Sequence, residues 1–244
     1  MRLAVISDIH GNCFALDSVL RDIREQGIEQ IVCLGDAIQG GAQPAETVQR
    51  LRESNCSVVM GNADAFVLYG DLEEPASERQ LTVRDWTLAQ LSNEDKTFMA
   101  QFQPTIEIAL EGGKSLLCFH GSPRSFNEII LPQTTDEIVH EYLGGFSANF
   151  LTGGHTHTQQ LRRLGAGDSW YFNPGSISLA YNWALMQGDE PKVDPWSDYA
   201  ILTSKGTTTS VTFRHVPFDV DELARVICAS GLPDAEKSIR MYLT

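Results

Sequence analysis

The first hydrophobic segment, Leu3-Ala4-Val5-Ile6, runs without a polar break into Ser7-Asp8. An unbroken apolar run of this length suits a strand covered on both faces, with Asp8 at its carboxyl end. From Asn12 the period lengthens. Phe14, Leu16, Val19, Leu20 and Ile23 share one stripe and Asp17, Arg21, Asp22, Arg24 and Glu25 the other, which predicts an amphipathic helix. Asn12 suits its N-cap and Gly27 its C-terminal stop. The same alternation recurs: Ile31-Val32-Cys33-Leu34 leads into Gly35-Asp36, a helix is predicted over 44–53, and Ser57-Val58-Val59-Met60 leads into Gly61-Asn62. Three βα-like units thus end their strands in polar residues.

Residues 65–103 carry charge throughout, with Trp86, Leu88, Leu91, Phe98 and Phe102 spaced as the apolar faces of two helices interrupted by Pro75 and Ser92-Asn93. Strand patterns take over beyond them. Segments 105–110 and 116–119 flank Glu111-Gly112-Gly113-Lys114, a hairpin-like turn, and the second delivers His120-Gly121. A helix is predicted near 136–142, after which Phe150-Leu151-Thr152 leads to Gly153-Gly154-His155-Thr156-His157. Strands follow at about 159–164, 169–172, 199–203 and 208–214, and two short helices, 220–229 and 234–242, close the chain. There is no internal repeat, and Gly188 to Ser197, rich in Gly, Pro and Asp, is too short a linker to separate domains. βα units first and antiparallel-looking strands later predict a single α/β domain over 1–244, on a mixed sheet or two stacked sheets.

Charge narrows the partners. With 18 Lys+Arg against 32 Asp+Glu, the net charge of −14 and the lack of any basic run argue against gripping long nucleic acid or an anionic membrane. A small phosphorylated substrate stays open. No apolar run approaches the roughly 18 residues of a membrane helix, and the first residues lack a signal-peptide core, so a cytoplasmic protein is expected. The five cysteines form no CxxC pair, and reduced, buried thiols are expected, with Cys13 held open because it stands beside a polar motif. Oligomeric state has no signal in the chain.

Five polar clusters stand at strand ends: Asp8-Ile9-His10, Gly35-Asp36, Gly61-Asn62, Phe119-His120-Gly121 and Gly154-His155-Thr156-His157. Their side chains are the oxygen and nitrogen donors that hold divalent metals. In Asp8-x-His10 and His155-x-His157 the alternation of an extended chain puts both side chains of each pair on one face. Four of the six histidines fall in these clusters, a concentration that core packing does not demand. Each cluster alone has a plain structural role as a cap, a turn pair or a satisfied core histidine. Their co-occurrence in order points to a metal site.

In this order the clusters resemble the calcineurin-like metallophosphoesterase family, whose pattern is Asp-x-His, Gly-Asp, Gly-Asn-His-(Asp/Glu), His and Gly-His-x-His. The resemblance spans about residues 3–176. It implies a four-layer α-β-β-α sandwich with two mixed β-sheets and a metal site in the loops at the carboxyl ends of the strands. Carried over by position, one ion would be held by Asp8, His10, Asp36 and His157 and a second by Asp36, Asn62, His120 and His155, with Asp36 bridging. The implied cofactors are two divalent transition metal ions, Mn, Fe, Zn, Co or Ni, since no thiolate selects a soft metal. Two such ions over two aspartates make the pocket locally cationic in an anionic chain. The implied reaction is hydrolysis of a small phosphodiester or phosphomonoester by in-line attack of a solvent-derived nucleophile, with Asp36, Asn62 and His120 as catalytic residues.

One departure changes the expected chemistry. Gly-Asn-His-(Asp/Glu) reads here Gly61-Asn62-Ala63-Asp64, so the histidine usually offered as general acid is absent. Such a donor is worth about 10² to 10⁴ in rate, and its loss predicts a preference for phosphodiesters, anhydrides or acidic leaving groups over alkyl monoesters. Asp64 is then left to cap the following helix, His140 is a candidate substitute acid, and Arg124 a candidate phosphate contact. Asn173-Pro174-Gly175-Ser176 matches a segment of the family's small phosphodiesterase branch that shapes a turn after the last metal loop. Tyr181, Trp183 and Trp196 follow in a segment without the arginine that related sequences often carry. Segments 65–103 and 122–148 flank ligand motifs and form either a cap over the site or outer-layer packing. The alternatives are a dinucleoside polyphosphate hydrolase or Ser/Thr protein phosphatase of the same fold, or a non-catalytic scaffold that binds proteins through its surface. Complete ligands from Asp8 through His157 argue against the scaffold, and Ala63 argues for it.

Overall fold

The computed structural model describes residues 1–70, 75–184 and 192–242, so residues 188–191 of the linker-like stretch lie outside the described residues. β1 (Arg2–Ile6) is central in the first sheet, parallel to β2 (Gln30–Cys33) and antiparallel to β9 (Trp196–Lys205). Leu3 stands opposite Gln30 on one side and Leu202 on the other. With β3 (Ser57–Val58) and β10 (Thr208–Pro217) the order is β10-β9-β1-β2-β3. The second sheet contains β4 (Ile106–Ala109), β5 (Ser115–Cys118), β6 (Phe150–Thr152), β7 (Gln160–Leu164) and β8 (Ser169–Asn173) in the order β4-β5-β6-β8-β7.

Strand alternation explains why β1 reads as one apolar run. Leu3 and Val5 face the second sheet, while Ala4 and Ile6 face α1 (Cys13–Glu25) and α2 (Pro44–Glu53). Between the sheets, Leu3, Val5, Val32 and Leu34 meet Leu116, Cys118, Phe150 and Phe172. On the far face, α6 (Asp136–Leu143) sets Val139 and Leu143 on Phe119, Leu151 and Tyr171, so this part of segment 122–148 is outer-layer packing. The architecture is the four-layer α-β-β-α sandwich, each sheet mixing parallel and antiparallel pairs.

Segment 65–103 departs from the expected two helices. Three form, α3 (Asn62–Tyr69), α4 (Glu78–Gln90) and α5 (Asn93–Met99), the last two opened by Ser77 and Ser92 as N-caps. α3 escapes a periodicity reading because Asp64, Ala65, Phe66 and Val67 are all buried, leaving no polar stripe to mark a face. At the other end of the chain, α7 (Val220–Ser230) and α8 (Ala235–Arg240) gather Leu223 and Ile227 with Val193 and Tyr242 into a separate apolar cluster. Among the described residues no helix is long and apolar enough to cross a membrane.

The parallel strands align the chemistry. β1, β2 and β3 run one way, as do β5, β6 and β8, and each delivers a polar loop at its carboxyl end.

Candidate metal centre

The loops that follow β1 and β2 are stitched together by the backbone. Asp8 N–H donates to Gly35 O at 3.0 Å, His10 N–H to Asp36 O at 2.9 Å and Gly11 N–H to Ala37 O at 2.9 Å. Glycine is required where a third loop comes closest, since a Cβ on Gly61 would collide with the Asp36 nitrogen and carboxylate. The geometry is strained. Asp8, His10, Asp36, His155 and His157 all hold φ between +47° and +67°, and only two other described non-glycine residues, Asn55 and Asp234, do so. Such left-handed backbone costs of order 1–3 kcal/mol per residue and persists where the surroundings impose it.

These loops bring the seven expected residues together in two groups joined through Asp36. Ligand atoms of Asp8, His10 and His157 lie within 4.8 Å of one another, as do those of Asp36, His120 and His155. Asp36 Oδ2 is 3.9 Å from His10 Nε2 and its Oδ1 is 3.4 Å from His120 Nε2. Asn62 Oδ1 joins the second group, 2.9 Å from His120 Nε2.

The orientation of the imidazoles tests whether cations fit. His10 Nδ1 meets Gln39 O at 2.9 Å, His120 Nδ1 meets Leu34 O at 2.8 Å and His157 Nδ1 meets Leu179 O at 3.2 Å. A carbonyl only accepts, so each Nδ1 carries a proton that it donates outward, and each Nε2 points into the centre. His10 Nε2 and His157 Nε2 then face each other at 3.2 Å, with Asp8 Oδ1 3.2 Å from the latter. Asp8 Oδ2 is taken by Ser7 Oγ and by His155 N–H at 3.1 Å, whereas Oδ1 is buried with no hydrogen-bond partner among the described residues. A buried carboxylate oxygen left without a hydrogen-bond partner beside converging imidazole nitrogens calls for a cation. The all-oxygen-and-nitrogen donor set fits divalent transition metals.

The charges reinforce this. Burial alone would push both carboxyls up, but His157 holds Asp8, and His120 with His10 holds Asp36, below the usual carboxylate range. For His120 burial opposes the charged ring, yet Asp36 beside it raises the pKa to about 9. Burial and the neighbouring His120 lower His155 to about 4. Cys13 is buried and its thiol is pushed up to about 12 by burial, so it supplies no thiolate here.

Other polar residues around the centre find different roles from those expected. Asp64 is fully buried and accepts from the backbone of Ala37 at 3.0 Å, Ile38 at 3.1 Å and Gly61 at 3.3 Å. It therefore caps its own helix and also clamps the loop that carries Asp36. Burial, with Asp36 nearby, raises it to about 7. Arg124 does not face the centre. It pairs with Glu128 at 2.7 Å and Glu141 at 3.1 Å and lies over the Tyr142 ring, because its loop packs on the outer helix layer. His140 sits exposed on α6 in that same layer, so it offers no acid to the site. The Asn173-to-Ser176 turn is a clamp as well. Asn173 Nδ2 donates to Gly154 O at 2.7 Å, and Ser176 Oγ donates to Asp8 O at 2.8 Å.

Sequence reasoning missed the supports. Tyr181 stacks on His157 with ring centroids 4.6 Å apart and itself meets Trp183 edge-on. Ser7 and Gln39 also touch ligands, and only their position next to ligand motifs hinted at it.

A two-sheet sandwich with a seven-residue oxygen-and-nitrogen cradle at the strand ends defines the class of the metallophosphoesterases. The profile of the calcineurin-like phosphoesterase superfamily domain matches residues 1–188, and the chain belongs to that superfamily. A relative from Methanocaldococcus jannaschii, called uncharacterized protein MJ0912, is 33% identical over 157 residues, 64% of this chain and 62% of that protein. A metallophosphoesterase from Sphaerobacter thermophilus superposes with a TM-score of 0.73 at 23% identity, covering 99% of this chain and 98% of the other. Hypothetical protein PH1004 from Pyrococcus horikoshii OT3 superposes with a TM-score of 0.78 at 20% identity, over 99% and 97% of the two chains.

Proposed function

We propose that the protein is a phosphoesterase that hydrolyses a small phosphorylated substrate with two divalent metal ions, preferring diesters to monoesters. The observation that carries the reading is Asp8 Oδ1, buried without a hydrogen-bond partner among the described residues and converging with the Nε2 atoms of His10 and His157. Asp8, His10, Asp36 and His157 would hold one ion, and Asp36, Asn62, His120 and His155 the other. Bound there, divalent ions supply Lewis acidity toward phosphoryl oxygens and make water nucleophilic at neutral pH.

The chain's own residues supply position. Ala63 N–H donates to Asp36 Oδ1 at 2.8 Å and, with the Asp64 clamp, fixes the carboxylate between the two histidine groups. Asn62 Oδ1 and His120 Nε2, 2.9 Å apart, would serve the second ion and a phosphoryl oxygen bound to it. The Ala63 side chain brings no proton, and His120 is fully buried with Nδ1 committed to Leu34 O, so neither residue protonates a leaving group. Leaving groups that depart without protonation are favoured, which supports a preference for esters of acidic alcohols and for anhydrides over alkyl esters. Five unpaired cysteines, four of them buried, support action in a reducing compartment such as the cytoplasm.

The test is hydrolysis of bis(p-nitrophenyl) phosphate beside p-nitrophenyl phosphate by chelated protein reconstituted separately with Mn, Fe, Zn, Co and Ni. Metal-restored turnover, faster on the diester, is expected. Folded protein that binds no metal and cleaves neither ester would overturn the reading in favour of a scaffold.

A further inference from the structure

Residues 176–181 form a loop behind the first group of ligands. Ser176 Oγ and the Ser178 N–H both donate to Asp8 O, at 2.8 and 3.2 Å, and the Ile177 N–H donates to Ser7 O at 3.0 Å. Leu179 O accepts from His157 Nδ1 at 3.2 Å, while Tyr181 covers the face of the same imidazole. One loop thus fixes the backbone of Asp8 and both the edge and the face of the His157 ring. The loop is held in turn by a residue 64 positions beyond Ser178, since the Tyr242 hydroxyl donates to Ser178 O at 2.8 Å. We propose that Tyr242, in the turn after α8, is a positioning residue for the first metal ion: through Ser178 it sets the loop that aims His157 and seats Asp8. The inference rests on the two-ion reading above.

Three observations carry it. The first is the direction of the hydrogen bonds. Tyr242 has one hydroxyl hydrogen and Ser178 O only accepts, so the 3.3 Å contact between Ser178 Oγ and Tyr242 Oη runs from the serine to the tyrosine. Asn12 Nδ2 donates to Ser178 Oγ at 3.3 Å, and Asn12 Oδ1 caps α1 by accepting from the Ala15 N–H at 3.0 Å. A chain of donors from Asn12 through Ser178 to Tyr242 therefore ties the loop that carries Asp8 and His10 to the loop that holds His157.

The second is the cost of the hydroxyl. Tyr242 is buried in the apolar cluster of Leu223, Ile227 and Leu232, with its ring edge-on to Phe218. A phenylalanine would satisfy that packing, and a buried hydroxyl is unfavourable unless it is bonded. This one bonds Ser178, whose neighbour supplies the carbonyl that orients His157. Burial pushes the Tyr242 hydroxyl up to about 12, so it remains a donor throughout the neutral range.

The third is selectivity. His157 Nε2 stands 3.2 Å from Asp8 Oδ1 and 3.2 Å from His10 Nε2, so a small turn of its ring displaces a ligand of the first ion. In the second group His120 is oriented by Leu34 O and Asp36 by the Ala63 N–H, neither of which belongs to this loop. Loss of the Tyr242 hydroxyl therefore weakens one ion and spares the other.

The test compares Tyr242→Phe, which removes only the hydroxyl, with Ile227→Val, which trims the same apolar cluster and keeps it. Cobalt(II) is titrated into each metal-free intact chain against a chelator, with the number of bound ions and the cobalt absorption spectrum as readouts. His157→Ala and His155→Ala supply reference spectra for protein impaired at the first and at the second ion. Both test variants are expected to melt at similar temperatures, and Ile227→Val to take up two ions as the parent does. Tyr242→Phe is expected to bind one ion at least tenfold more weakly, within the 10- to 100-fold range of changes behind metal ligands, and its half-loaded spectrum to match that of His157→Ala. Two ions bound with parental affinity in Tyr242→Phe, a spectrum that matches His155→Ala, or an equal loss in Ile227→Val overturns the positioning role and leaves the phosphoesterase reading standing. Selective loss in Tyr242→Phe upholds the role even where the loaded parent cleaves no ester, in which case the phosphoesterase reading alone falls. A parent that takes up no cobalt overturns both.

Discussion

At the residue scale the centre couples proton and metal. His120 keeps its proton up to about 9 because Asp36 faces it, so at neutral pH the metal-free site carries a proton that a metal must displace. Apparent metal affinity is therefore expected to rise by up to about tenfold per pH unit between pH 6 and 9, and to level off above that. Competition against a chelator at several pH values measures this, and a flat profile refutes the pairing of His120 with Asp36. Ala63 gives a second handle. Ala63→His returns an imidazole to the position where related sequences carry their acid, and it is expected to raise kcat/KM on an alkyl phosphate monoester at least tenfold, within the 10² to 10⁴ range of general acid catalysis. Steady-state kinetics on methyl phosphate decide it, and no gain removes the missing-acid account. The donors themselves were legible because each stands in a short motif after an apolar run. Their supports were not: Tyr181 acts on His157 across a stacked ring contact, and nothing local to Tyr181 marks it.

At the element scale α1 is tied to the sheet edge by one carboxylate. Arg214 of β10 donates to Asp22 Oδ1 at 2.6 Å and to Oδ2 at 3.1 Å, and the Tyr199 hydroxyl of β9 donates to the same carboxylate. Burial pushes Asp22 up, but Arg214 and Tyr199 outweigh it and hold the carboxyl below its ordinary value of 3.8. A carboxyl depressed in the folded state stabilises above its unfolded value and loses that contribution as pH falls through the folded one. Asp22→Asn is expected to cost about 1–2 kcal/mol at pH 7, trimmed by the partial exposure of Arg214, with the gap to the parent closing below about pH 3.8. Denaturant unfolding at pH 7 and pH 3 measures both values. Elements with an amphipathic period, such as α1, could be read directly from the chain. α3 could not, since it is buried all round and its start doubles as a ligand loop.

At the scale of the whole molecule, the count of sheets was the part the sequence left open. Strand patterns reveal which segments are extended but not which ones pair, and β1 takes a partner from β9, nearly two hundred residues later. The partition follows from the alternation along β1, where Leu3 and Val5 need a second sheet while Ala4 and Ile6 need helices. The inter-sheet layer is tight, with Phe172 fully buried in it. Phe172→Ala is expected to cost about 3–5 kcal/mol in denaturant unfolding, and a loss under 1 kcal/mol would show that the sheets do not depend on this contact.

The left-handed backbone at five of the cradle residues sets robustness against activity at the same positions. A glycine at such a position relaxes the chain, and its own entropic penalty of about 0.5–1 kcal/mol offsets only part of the relief. His155→Gly is thus expected to melt about 2–4 °C higher than its metal-free parent while losing metal and turnover. A melting curve and a metal analysis on the same sample check the two halves together. Selection for heat resistance alone would erode this centre, and selection for chemistry alone would keep the fold softer than its core allows.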